Sequence, residues 1–257
     1  MGYKISIELV ANSGVYIRCN DTTILIDGIY GKNPCFTQPT KEMGKSVLGI
    51  KSKYTNVDYI LFTHRHVDHF SGMFLEKYLI NNKVKKVFIP ESSLNEKESD
   101  AFNTNIYGKT VQELNIPFGE ELQESLGGNN SFTCFRSVHM GGKQYNNIIH
   151  YTYILTLEGK NFLFAGDADT IEENLIPSSG PLKFEAAFVN VLFFQNKKGE
   201  KLFDEVLKPI SAVIYHLPFE ADDITGLRKL ANRQLVKRQH KSYEIVLFQN
   251  EEQILFF

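Results

Sequence analysis

Cysteine is scarce in this chain and badly spaced for chemistry. Cys19, Cys35 and Cys134 are odd in number, far apart and form no CxxC pair, which points away from both a disulfide framework and a thiolate zinc site. Buried, reduced thiols are the expectation. Long apolar runs are also missing, none approaching the roughly 20 residues of a membrane helix. The N-terminal Met-Gly-Tyr-Lys-Ile-Ser-Ile-Glu-Leu-Val alternates like a strand instead of forming a signal-peptide core. A soluble, cytoplasmic protein is expected. Charge of one sign is lacking too: 28 basic and 30 acidic residues leave a net charge of -2, so the global balance favours neither nucleic acid nor an anionic membrane. The partner expected is a small-molecule substrate. With no Pro/Gly/Ser tract, no internal repeat and no low-complexity segment, residues 1–257 read as one domain.

What is present is concentrated in one place. Residues 63 to 69 read THRHVDH, which puts His64, His66, Asp68 and His69 within six positions, directly after the apolar run Val57 to Phe62. That run predicts a buried strand, and Phe70-Ser-Gly-Met-Phe-Leu-Glu-Lys-Tyr-Leu has helical spacing, so the histidines fall on a strand-to-helix turn, where sites are built. In extended chain His64 and His66 project to one side and can grip one ion. As the chain curls toward the helix, Asp68 and His69 can face a second. Neutral imidazoles with carboxylates suit Zn²⁺, which takes nitrogen and oxygen ligands.

Around this motif the pattern predicts alternating strands and helices. Tyr3 to Val10, Val15 to Cys19 and Thr23 to Asp27 read as a β meander, with Asn20-Asp21 as a turn. Residues 28 to 57 read as an unusually long loop of functional character, whose Tyr30 and Phe36 are candidates to line a pocket. Further strands are predicted at Lys86 to Pro90, Phe132 to Val138, Ile149 to Leu157, Phe162 to Ala165, Ala186 to Leu192 and Ala212 to Tyr215. Helices are predicted near Ser92 to Phe102, Glu200 to Leu207 and Asp222 to Leu235.

A two-metal site needs more ligands than one turn supplies, and they should come from other strand ends. His139 follows Phe132 to Val138, Asp167 follows FLFAG, and His216 follows AVIY; each sits where an apolar strand gives way to loop. His150 and His240 are left as non-ligands. This order resembles the metallo-β-lactamase superfamily: HxHxDH, a His, an Asp after a Gly, and a last His, with all seven positions matched from TILID through THRHVDH and FLFAGD to AVIYHLPFE. The resemblance implies an α/β fold, a four-layer αββα sandwich with the metals at one edge between two sheets. It also implies that His64, His66 and His139 bind one metal, that Asp68, His69 and His216 bind the other, and that Asp167 bridges them. The nearest likeness is to small bacterial hydrolases such as ascorbate-6-phosphate lactonase.

Departures from the wider family narrow that expectation. No Cys lies near the ligands, unlike many antibiotic-hydrolysing members, so an efficient β-lactamase is not expected. A Glu in place of His66 would suggest the diiron oxygen-reducing members, whereas the His favours two Zn²⁺, with Mn²⁺ or Fe as alternatives. The 41 residues after His216 leave no room for the additions of glyoxalase II or the RNA-processing nucleases. The expected chemistry is hydrolysis by a metal-bridging hydroxide, on a small ester, lactone, thioester or phosphodiester, with Asp68 moving a proton. An iron-dependent oxidoreductase and a non-catalytic metal-binding protein are the competing classes. Asp27 is a candidate to orient a ligand histidine. Lys143, beside Gly141-Gly142, and Tyr145 are candidates for substrate contact, as are Phe219 and Glu220. Asp169-Thr-Ile-Glu172 fits a capping box opening a helix.

Overall fold

The computed structural model describes residues 4–36, 39–92 and 102–257. Strands β1 (Ile5–Ala11), β2 (Gly14–Cys19) and β3 (Thr22–Ile26) pair antiparallel. Strands β4 (Tyr59–Leu61), β5 (Lys86–Pro90) and β6 (Val111–Leu114) then add in parallel. The same plan recurs further along the chain. Strands β7 (Glu121–Gly127), β8 (Asn130–Ser137), β9 (His150–Leu157) and β10 (Lys160–Phe164) are antiparallel, and β11 (Ala186–Asn190), β12 (Ser211–Tyr215) and β13 (Glu244–Leu247) continue in parallel. Strand β14 (Ile254–Phe256) returns to the first sheet beside β1. Among the described residues the two sheets have seven strands each, ordered β14-β1-β2-β3-β4-β5-β6 and β13-β12-β11-β10-β9-β8-β7.

Alternation along each strand sorts the side chains into layers. In β12, Val213 and Tyr215 enter the core between the sheets, while Ala212 and Ile214 face the outside. Helices α1 (Lys41–Val47) and α2 (Gly72–Asn81) cover the first sheet through Met43, Val47, Leu75 and Tyr78, packed with Leu25, Ile60, Phe62 and Ile89. Helix α3 (Lys197–Lys201), the π-turn Leu202–Leu207 that extends it, and α4 (Leu227–Lys237) cover the second through Phe203, Leu207 and Ala231. Both faces of both sheets are therefore covered over their central strands, and the result is an αββα sandwich. Between the sheets, Phe88 meets Phe132 edge-on at 4.9 Å. Two tyrosines of β9 also reach across: Tyr153 Oη donates to the Phe62 carbonyl at 3.0 Å, and Tyr151 Oη to that of Leu114 at 3.0 Å. The Tyr151 N–H donates to the Thr63 carbonyl at 2.8 Å, latching the second sheet to the first residue of the histidine motif.

Several elements differ from the sequence expectation for local reasons. The long loop over residues 28 to 57 contains α1, opened by Thr40, whose Oγ1 accepts from the Met43 N–H at 3.2 Å. The strand expected through Leu192 stops at Asn190, whose Oδ1 accepts from the Leu192 N–H at 2.9 Å and starts a 3-10 turn. The helix expected from Asp222 begins at Leu227, because the Asp223 carboxylate takes the N–H groups of Leu227 and Arg228 at 2.9 Å each. Strands β6, β7, β13 and β14 were not anticipated; in β7 and β13 mostly exposed or half-buried residues blur the apolar signal. The helix expected near Ser92 to Phe102 falls almost wholly on residues outside those described. Among the described residues no helix is long and apolar enough to cross a membrane.

Candidate metal centre

All seven residues singled out by spacing come together at one edge of the sandwich. They form two groups: His64, His66, His139 and Asp167, and beside them Asp68, His69 and His216, with the candidate ligand atoms of each group within 4.8 Å of one another. The first four motif residues leave β4 and precede α2. His139 follows β8, Asp167 follows β10 and His216 follows β12. A short ladder joins two of these ends: the Met140 N–H donates to the Asp167 carbonyl and the Asp169 N–H to that of Val138, both at 2.8 Å.

Asp167 lies between the groups. Its Oδ2 is 3.5 Å from His139 Nε2, 3.6 Å from His69 Nε2 and 3.9 Å from His64 Nε2, and its Oδ1 is 3.5 Å from His216 Nε2. Asp68 Oδ2 lies 3.6 Å from His216 Nε2. A tetrahedral cation with bonds of about 2.0–2.1 Å separates its ligand atoms by roughly 3.3 Å. These carboxylate spacings suit such an ion better than direct hydrogen bonds, whereas two imidazole pairs stand at hydrogen-bond distance, His69 Nε2 to His216 Nε2 at 2.8 Å and His64 Nε2 to His66 Nδ1 at 3.0 Å.

Hydrogen bonds behind the histidines set which nitrogen faces inward. Asp27, in a left-handed conformation with φ 48°, accepts from the Thr63 N–H at 2.8 Å and the Thr63 hydroxyl at 2.7 Å. The same carboxylate takes His69 Nδ1–H at 2.9 Å. With the Thr63 proton committed to Asp27, Thr63 Oγ1 accepts from His64 Nδ1 at 3.1 Å. His139 Nδ1 donates to the Met140 carbonyl at 2.5 Å. Each of these three rings thus points Nε2 inward, and in His64 and His139 that atom carries the lone pair a ligating imidazole needs. Among the described residues His139 Nε2 is buried with no hydrogen-bond partner, a costly state that a bound cation would relieve.

The electrostatics agree. Burial pushes His64 far below the ordinary histidine range and lowers His139 as well. Burial, then the neighbouring His139, lowers His66 to about 4. These rings are neutral near pH 7 and available to a metal without losing a proton. For His69, burial acts downward but is outweighed by Asp27 and Asp167, which hold it well above its usual value. Burial would raise Asp167, yet His216 and His69 hold it far below. Two carboxylates at a buried edge need positive charge. Arg65, the nearest guanidinium in the motif, is committed to the Pro90 carbonyl at 2.7 Å and to Glu113 at 3.2 Å.

His150 does more than fill a strand. Its Nε2 accepts from the Asp167 N–H at 3.0 Å, and its Nδ1 donates to Ser137 Oγ at 2.6 Å. Gly166 fits this corner because its φ is 53° and an added Cβ would lie 2.8 Å from His150 Nε2. Its N–H donates to Tyr215 Oη at 3.1 Å. Lone histidines in strands carry no sequence signal for such a role.

A cleft of about 760 Å³ opens onto the centre, walled by Phe36, Val67, Met140, Tyr145, Ile148 and Leu192, with amides from Asn33, Gln144 and Asn147. Phe36 stands edge-on to His216 at 4.1 Å, and Tyr145 approaches His139 at 4.9 Å and His66 at 5.5 Å. Tyr30 is buried and lines a separate apolar cavity beside α1. Lys143 is exposed and, like Phe219 and Glu220, lies outside the cleft wall, whereas Gly141 and Tyr145 are part of it. The capping box expected at Asp169 is corrected. Its Oδ1 accepts from the next residue's N–H at 2.7 Å, and the 3-10 turn Glu172–Asn174 begins after Ile171 without a side-chain cap.

The sequence profile described as the beta-lactamase superfamily domain matches residues 22–236. The chain belongs to that superfamily. Its fold is shared with Igni18, a metallo hydrolase from Ignicoccus hospitalis, at a TM-score of 0.61 and 15% identity over 98% of this chain and 99% of that one. An isothiocyanate hydrolase from Delia radicum gut bacteria gives 0.57 and 11%, covering 98% and 99%. CmlA, a diiron beta-hydroxylase from Streptomyces venezuelae, gives 0.65 and 14%, with all of this chain spanning 55% of the hydroxylase. No curated protein matches the chain significantly in sequence.

Proposed function

We propose that this superfamily member is a hydrolase that works with two divalent cations, zinc foremost, on a small ester, lactone, thioester or phosphodiester. The position of Asp167 carries this reading: one carboxylate spans both ligand groups, with Oδ2 3.5 Å from His139 and Oδ1 3.5 Å from His216. His64, His66 and His139 would hold one ion, Asp68, His69 and His216 the other, and Asp167 both. Bound there, the cations supply Lewis acidity, polarising a scissile oxygen and making water a usable nucleophile near neutral pH.

The chain's own groups do the rest. Asp68 stands in the cleft wall, where its carboxylate can take a proton from the nucleophile and return it to the leaving group. Asp27 and Thr63 fix the tautomers of His69 and His64, and His150 fixes the Asp167 corner. Phe36 and Tyr145 stand as aromatic walls beside the ligands, and the rim amides offer hydrogen bonds to a polar substrate. The volume suits a small molecule. The isothiocyanate hydrolase on the same fold adds electrophilic carbon centres to the classes worth screening.

Elemental analysis after zinc saturation tests the metal count, with two ions per chain expected. A content that stays at one or below overturns the dinuclear reading. Turnover of the loaded protein on a panel of lactones, thioesters and phosphodiesters then tests hydrolysis. The likeness to a diiron hydroxylase supports a second reading, iron-dependent oxidation in the same cage. Iron retained through purification, with visible absorption and no hydrolysis across the panel, would favour it.

A further inference from the structure

We propose that the Asn12–Ser13 turn, between β1 and β2, is a positioning element for the Asp68, His69 and His216 group. The turn makes one contact to each member. Asn12 Nδ2 donates to the Asp68 carbonyl at 3.0 Å, the His216 N–H donates to the Asn12 carbonyl at 3.1 Å, and Ser13 Oγ lies 3.2 Å from His69 Nδ1, sharing the N–H that Asp27 accepts at 2.9 Å. Asp68 and His69 come from the first sheet and His216 from the second, so two adjacent residues tie together ligand candidates that no strand pairing connects.

The local build supports this role. Asn12 sits at φ 53°, a conformation that Asn tolerates better than most residues. His216 itself sits at φ 58°, so its ring is presented by an uncommon backbone that needs an external hold. The following Gly14 packs so closely on the Asp27–Gly28 corner that an added Cβ would lie 2.8 Å from Gly28 Cα and 2.9 Å from the Asp27 carbonyl. The turn is thus wedged against the corner that carries Asp27. Both side chains are buried, Asn12 at 3% and Ser13 at 0% exposure. Among the hydrogen bonds of the described residues, neither reaches His64, His66 or His139.

Loss of the turn's contacts should therefore weaken one cation and spare the other. This rests on the two-cation reading above. The test is calorimetric Zn²⁺ titration of chelator-stripped protein, comparing wild type, Asn12→Gly, Ser13→Ala and the double variant. Asn12→Gly keeps the backbone carbonyl and relaxes φ, removing the side-chain donor alone. Asn20→Gly is the control, since Asn20 also sits left-handed, at φ 52°, in the β2–β3 turn, and its side chain bonds Glu158.

Wild type is expected to take up two ions. The double variant should keep one affinity within about threefold and lose about 10–100-fold on the other, the usual effect of removing a partner behind a ligand. Asn20→Gly should lower thermal stability and leave both affinities alone. Unchanged binding in the double variant, or equal weakening of both ions, overturns the proposal. Should the double variant fail to fold, Ser13→Ala alone must still weaken one ion selectively. A wild type that takes up a single ion overturns the two-cation reading, and this selectivity with it.

Discussion

The two sheets share one plan, antiparallel strands followed by parallel ones, yet they furnish the centre in opposite ways. The first places His64, His66, Asp68 and His69 on the single connection after β4. The second gives one residue from each of three strand ends: His139, Asp167 and His216. The contrast is sharpest between Asp27 and Asp167, which follow the corresponding strands β3 and β10. Asp27 comes immediately after its strand, at φ 48°, and turns back to hold Thr63 and His69. Asp167 comes after Ala165 and Gly166, and that longer step carries its carboxylate out between the two histidine groups. Two similar carboxylates thus acquire different tasks from a difference in offset.

The largest expected effect tests that division. On the two-cation reading, Asp167→Asn should cut turnover on the best substrate by about 10³-fold and reduce the metal content, because it would remove the anion that lets two dications sit together. Asp169→Asn, by contrast, should stay within about twofold, since it faces neither group. Near-wild-type turnover in Asp167→Asn together with an inactive Asp169→Asn would reverse their roles.

Asp27→Asn should show the opposite balance. It weakens three hydrogen bonds at a fully buried site, so about 2–4 kcal/mol of stability should go, with about 10–100-fold of metal affinity. Denaturant unfolding of the stripped proteins decides this: a smaller loss in Asp27→Asn than in Asp167→Asn would erase the distinction between holder and bridge. Next in size is His150→Phe, which leaves the Asp167 N–H without its acceptor at about 1–3 kcal/mol, while His150→Gln should recover part of that. Equal loss in both variants would show that the ring's packing, not its lone pair, matters.

Acid should reach the same centre. In stripped protein the folded state holds His66 to about 4, while the unfolded chain protonates near 6.5. The unfolded state therefore binds more protons between those values, so stability falls as pH drops from about 6.5 toward about 4. Burial drives His64, His139 and His150 in the same direction. The urea midpoint should decline across that window, and less steeply in His66→Gln; a midpoint independent of pH would contradict it. The smallest effect is expected from replacing Cys19, Cys35 and Cys134 together by Ala. Cys19 and Cys134 lie buried in the core between the sheets, whereas Cys35, contrary to the buried thiol expected, is exposed and lines the cleft; stability should fall through packing lost at the first two while metal content holds. Loss of metal from the folded variant would reveal a thiolate ligand.

The same contrast explains what could be read from sequence. The motif after β4 was legible because one turn holds four ligand-type side chains at a spacing that chance seldom produces. His139, Asp167 and His216 were legible only in conjunction, each at the end of an apolar run. The αββα layering followed from the superfamily resemblance, and the buried strands from their apolar runs. Strands β7 and β13 escaped because a half-exposed edge strand has no such run, and α1 because seven residues are too few to display a period. Asn12, Ser13 and His150 act through backbone groups and buried contacts, and these depend on what folding brings near. Asp27 was visible as a carboxylate closing a strand, whereas its hold on Thr63 and His69 needed coordinates.

The tyrosine links between the sheets bear on how such a protein can vary. With Tyr153 bonded to Phe62 and the Tyr151 N–H to Thr63, parting the sheets would drag the histidine motif with them. Substrate admission is then left to the cleft's outer wall, the stretches around Asn33 to Phe36 and Met140 to Ile148, neither of which lies in a sheet. Selectivity and the ligand frame are in this sense separately heritable: the rim can be rewritten by substitution or insertion while the candidate ligands keep their geometry.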